Sequence, residues 1–226
     1  MSDDNFVREV DEEIRSDLLR SVWDRYGIIL LTAAIAIVVG TASWRGYEYW
    51  RDGQASRSGD AFLAALKQAD AGENDAALAA LAELEKSGFG AYPVLARMRS
   101  ATVEAAKGDA AKSLEIFDSV ANDASVDGAV RDMARLRAGL LLVDNGSYED
   151  VSKRVEVLSD DANPLRHSAR EALGLSAWKA GKAAEAEGFF TTLADDPDAP
   201  KNLVERAGVM LDVIKSSGLS APKAAG

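Results

Sequence analysis

The 226-residue chain contains no cysteine, which excludes structural disulfides, thiolate metal sites and cysteine nucleophiles together. It has a single histidine, His167. A zinc site, needing three or four N, S or O ligands, therefore lacks its usual members, and a serine–histidine–aspartate triad would have to be built on that one ring. Cations are outnumbered, 26 Lys and Arg against 37 Asp and Glu, for a net charge of −11, and they form no cluster. Such a surface repels phosphates, so nucleic acid is not an expected partner. Gly181-Lys182 is followed by Ala183 and has no upstream glycine of a phosphate-binding loop, and GxSxG and the calcium-loop spacing DxDxDG are absent. No catalytic residue, metal site, cofactor or small-molecule substrate is predicted, and the chain is read as a non-enzyme. Outside one segment there are no Val/Ile/Thr runs, while alanine is abundant throughout. That composition predicts an all-α fold.

The one exceptional segment lies between Arg25 and Arg45: nineteen uncharged residues, YGIILLTAAIAIVVGTASW. As a helix it would span about 28 Å, close to a ~30 Å hydrocarbon core. Its eight Ile, Leu and Val residues favour insertion by about 2.5 to 5 kcal/mol. Trp23 and Tyr26 stand before it and Trp44, Tyr47, Tyr49 and Trp50 after it, as interfacial aromatic belts do. A cleaved signal peptide would need a short basic leader and an apolar core of ~7 to 15 residues. Here the 25-residue leader carries eight acids and four arginines. Residues 26–44 are therefore predicted to span a membrane as one helix, in contact with lipid. Residues 1–25 form an acidic segment in which Val7, Val10, Ile14, Leu18 and Val22 recur at helical spacing, and 45–56 a juxtamembrane linker. Four Lys/Arg precede the span and three follow within ~20 residues, so charge bias does not choose the orientation.

Beyond the linker, glycines recur at Gly72, Gly108, Gly146 and Gly181. Seven residues before each stands a small residue: Ala65, Ala101, Gly139, Gly174. Five after come Ala77, Ser113, Val151 and Ala186; nine after, Leu81, Phe117, Val155 and Phe190; twelve after, Leu84, Val120, Leu158 and Leu193. The last three offsets fall on one helix face, which the small residue allows a preceding helix to approach closely. A helix, glycine turn and helix repeating near 34 residues is the signature of tetratricopeptide repeats. The expected domain, 57–216, is an α-solenoid of about four helix pairs with a capping helix, followed by a disordered tail at 217–226. Pro93, Pro164 and Pro200 are each placed in the first turn of a helix. The first repeat keeps only its small residues and leucines, and the third has Val151 where a small residue is expected, so both pairs are predicted to be looser or differently angled.

His167 follows Pro164 with Arg166 and Arg170 adjacent, and is read as a surface or capping histidine. Asp160–Asp161 and Asp195–Asp196 fall between helices, where they cap or solvate turns. The candidate binding residues are a stripe on the first helices of the pairs: Leu95, Met98, Thr102, Met133, Leu136, Leu140, Leu175 and Trp178. Ordinary core packing is the plainer reading of it, and a groove for a peptide or partner helix is the other.

The order of an acidic N-terminal stretch, one span, WRGYEYW, SRSGDAFLAAL and helical repeats with AYPVLARMRSATVEAAKGDAAKSLEIF resembles the bacterial ancillary Sec translocon subunit family. The resemblance implies a single-pass inner-membrane protein with a cytoplasmic N-terminus and a periplasmic tetratricopeptide-like domain. Its implied partners are Sec translocon subunits and the periplasmic chaperones that receive exported chains. A cell-envelope scaffold coordinating cell-wall enzymes with division is the alternative function.

Overall fold

A computed structural model describes residues 3–219, with side chains from Trp23 onward. Among these residues the chain is helical without strands, and it divides between Ser56 and Arg57 into two units.

The first unit is a single helix, the start of α1 (Asp3–Asp70). Its apolar run is exposed among the described residues: Ile28 is 83% and Ile37 68% exposed. The Thr32 hydroxyl donates to the Ile28 carbonyl at 2.7 Å and Thr41 to Ile37 at 2.8 Å, so neither donor needs water. The helix is long and apolar enough to cross a membrane and is a candidate span. Residues 45–56, expected as a linker, are helical throughout. They contain no proline, and an Arg45–Glu48 pair one turn apart at 3.4 Å supports the helix across Gly46. The amphipathic face of Val7, Val10, Ile14, Leu18 and Val22 lies outside the described side chains.

In the second unit the end of α1 shares an apolar cluster with α2 (Asn74–Ser87). Helix α3 (Tyr92–Ala106) pairs with α4 (Ala110–Ala121), α5 (Gly128–Asn145) with α6 (Tyr148–Val155), and α7 (Arg166–Lys179) with α8 (Ala183–Asp195). Helix α9 (Lys201–Ser216) packs on α7 and α8. Local chemistry sets these limits. Asp109 and Asp127 cap α4 and α5, and Ser147 with Asp150 forms a capping box at α6. Pro93 occupies the first turn of α3, whereas Pro164 and Pro200 stand just before their helices. Of the tail at 217–226, residues 220–226 lie outside the described residues.

Gly72, Gly108 and Gly181 have φ of 79°, 92° and 73°, the left-handed conformation of a helix C-terminal turn. In each turn the residue after the glycine donates to a carbonyl five positions back: Glu73 to Gln68, Asp109 to Glu104, Lys182 to Ala177. Gly146 differs. It is extended, at φ −121°, because Ser147 starts α6 by its own capping box. An added Cβ there would lie 2.7 Å from Leu142 Cδ2, so this glycine serves contact rather than handedness.

All sixteen repeat positions are buried. Gly174 shows why a small residue is needed seven before the turn: a Cβ on it would lie 2.8 Å from Cζ of the buried Phe190 ring. Gly139 meets Val155 still more closely. The third pair departs from the others in length, since α6 is one of the shortest helices and tightens into a 3₁₀ turn at Glu156–Leu158. Four apolar clusters follow one another along the chain, each shared by neighbouring helices, as a one-dimensional stack requires.

Candidate protein-binding groove

A groove of about 490 Å³ opens on the face formed by the first helices of the first three pairs. Phe62 and Leu66 come from α1, Leu95, Met98, Arg99 and Thr102 from α3, and Ala129, Val130, Met133 and Arg137 from α5. Apart from the adjacent Met98–Arg99 and Ala129–Val130, neighbouring lining residues on each helix are three or four apart, so each helix contributes one stripe. Met98 is 9% exposed and forms the floor, while Leu95 at 41% and Met133 at 36% are open to solvent.

Two arginines interrupt the apolar lining. Arg99 Nη2 lies 3.1 Å from Asp70 Oδ1, and its Nε is buried without a hydrogen-bond partner. Arg137 Nη1 reaches only Thr102 Oγ1, at 3.5 Å, and Arg137 makes no ion pair among the described residues. The Thr102 hydroxyl donates to the Met98 carbonyl at 3.1 Å.

The structure thus gathers Leu95, Met98, Thr102 and Met133 into one groove and distributes the rest of the predicted stripe. Leu136 is buried in the core between α5, α6 and α7. Leu140 is exposed on α5 outside the groove. Leu175 and Trp178 are half-buried against the C-terminal core. The arginines were missed, although both stand nine residues before a turn glycine, and Phe62 and Leu66 were missed with them.

The description "tetratricopeptide repeat-like domain" matches residues 20–205. The chain belongs to the tetratricopeptide repeat-like family. No curated protein matches it closely enough to count as a relative. Tetratricopeptide-like domains typically serve as protein-interaction scaffolds.

Polar side chains of this tetratricopeptide-like domain form a second regular feature. Arg97, Arg135 and Arg170 each stand eleven residues before a turn glycine. Each reaches the end of the preceding second helix: Arg97 approaches Glu85 at 3.9 Å, Arg135 donates to the Ala121 carbonyl at 3.2 Å, and Arg170 to Ser159 at 3.2 Å. A cation there satisfies orphan carbonyls and the negative end of the helix dipole. Fifteen after the glycine stand Asp123, Asp161 and Asp196, which accept from Arg97 or Arg170.

His167 is not a surface residue. It is 8% exposed, and its Nε2 lies 2.9 Å from Asp196 Oδ2, which Arg166 and Arg170 also approach. Asp196 therefore organises a partly buried ionic cluster besides its turn, and the exposed Asp161 pairs with Arg170. The Asp198 backbone N–H, with Arg166 and His167, pulls the Asp196 carboxyl down to about 2. The Ser125 hydroxyl and Arg97 do the same for Asp123, also to about 2. Both carboxylates are satisfied ion-pair partners, half-buried at the ends of second helices. Among the described residues no group of acids and histidine is arranged to hold a metal.

Proposed function

We propose that this chain is a membrane-anchored protein-binding scaffold of the bacterial inner membrane, associated with the Sec translocon and linking exported chains to periplasmic chaperones. Residues 26–44 would cross the bilayer, with residues 1–25 cytoplasmic and the tetratricopeptide-like domain, 57–216, in the periplasm. The observation that carries the scaffold reading is the apolar groove on three successive first helices, open beside a stack whose own core is already complete. The exposed apolar helix with its internally bonded threonines supports the anchor. The order of span, WRGYEYW and repeat supports the translocon as neighbour. A rigid helical surface tethered beside an export channel would meet emerging chains at high effective concentration without any chemistry of its own.

The test is site-specific photocrosslinking in intact cells from Met133 and Leu95. Translocon subunits and periplasmic chaperones are the expected products. Recovery of cell-wall synthases without translocon subunits would overturn the proposal in favour of a scaffold for cell-wall enzymes.

A further inference from the structure

We infer that the groove selects a short partner segment that joins apolar side chains to a carboxylate, with Arg137 as the residue that reads the charge. The inference rests on the scaffold reading and adds the chemistry of what is bound. The domain carries an acidic surface, with 29 Asp and Glu against 22 Lys and Arg from Arg45 onward, yet the groove is lined by two arginines and no acid. Arg99 is tied to Asp70, an exposed carboxylate, so its charge is partly answered. Arg137 is exposed, and its one hydrogen-bond contact among the described residues is a 3.5 Å approach to a neutral hydroxyl. A guanidinium has five N–H donors in a planar fork that matches a carboxylate bidentately, and most of those on Arg137 are uncommitted. Met133, one turn before it on α5, and Leu95 elsewhere in the same groove offer the apolar contact that would exclude water from such a pair.

Size limits the occupant as well. Successive first helices stand no closer than the about 8–10 Å of packed neighbours, so three of them make a floor on the order of 20 Å across or more, the length of at least roughly six extended residues. The partner that fits is therefore a segment of an unfolded or flexible chain, with apolar anchors and one acid among them. A basic or uniformly polar segment would leave Arg137 repelled or the apolar lining wet.

The test selects a random dodecapeptide display library against the full-length chain in phosphatidylcholine nanodiscs, after depletion on empty nanodiscs. Peptides recovered by the parent are expected to be enriched in Asp and Glu beside Leu, Ile or Phe. Arg137→Glu should return a pool that has lost the acids and gained Lys and Arg. Met133→Glu should lose the apolar enrichment. For one selected peptide, Arg137→Gln is expected to weaken binding roughly tenfold. Its amide version should bind the parent equally weakly and lose nothing more on the variant. A parent pool without acidic enrichment overturns the charge reading while leaving the scaffold reading standing. An unchanged pool from Met133→Glu overturns the groove as the site. Binding of dodecanoate with no recovered peptides would make this a lipid site and overturn the inference. The scaffold reading fails separately, on the crosslinked partners.

Discussion

Gly174→Ala should lower the stability of the domain, and the reason can be isolated by reversing its sign. On an exposed helix the substitution stabilises by about 1 kcal/mol, because alanine has the higher helix propensity. Here the new Cβ would lie 2.8, 3.0 and 3.1 Å from Cζ, Cε2 and Cε1 of Phe190, a ring only 1% exposed and without room to swing aside. Overpacking of this kind costs about 1 to 3 kcal/mol. The net loss should therefore be about 1 kcal/mol, or roughly 2 to 4 °C in the unfolding midpoint of a domain this size. Phe190→Leu removes the three ring atoms concerned and on its own destabilises by about 1 kcal/mol or more. In that background Gly174→Ala has no ring to meet, so it should stabilise by about 1 kcal/mol. The assay is thermal unfolding of the full chain in detergent, followed by circular dichroism, for the parent, both single variants and the double. A rise in midpoint for Gly174→Ala in the parent would refute the close approach of α7 and α8. Equal shifts in both backgrounds would show that the ring is not what the methyl meets.

Phe117→Ala, at a side chain 4% exposed, should cost about 3 to 5 kcal/mol of stability, whereas Met133→Ala in the groove should leave the midpoint within a few degrees of the parent; equal losses in the two melts would make the groove lining part of the core. Hydrogen bonds and arginines hold the Asp123 and Asp196 carboxyls down to about 2 in the folded chain, below the ordinary aspartate value, so the unfolded chain binds protons first as the solution is acidified. Stability from these carboxylates is complete above about pH 4 and is lost as the pH falls towards 2, and Asp196→Asn should flatten that stretch of a stability-versus-pH curve. A reporter active only outside the cytoplasm should work when fused after Ser217 and be silent at Ser2; the opposite pair of results reverses the orientation.

The helical stack was legible in the sequence because each repeat must bury the same face against its neighbours. Ala65, Ala101, Gly139 and Gly174 are small for the reason their spacing implied, with the larger residues of the next helix pressed on them. The apolar run was equally legible, since length and composition alone set what a helix needs to span hydrocarbon. Tertiary structure decided what spacing along one helix could not. Leu136 and Leu140 stand one turn apart on α5, yet the first is in the core and the second open, because only the position of α6 and α7 determines which side is covered. Gly146 holds the place of a left-handed turn glycine but is extended, since the Ser147 capping box sets the local backbone. His167 meets Asp196 across 29 residues, a pairing made by the folding of α8 back onto α7. The arginines at −11 and the aspartates at +15 were written in the repeat, but their meaning was not. Ionic partners are recognised by distance, and distances between helices exist only after the stack has formed.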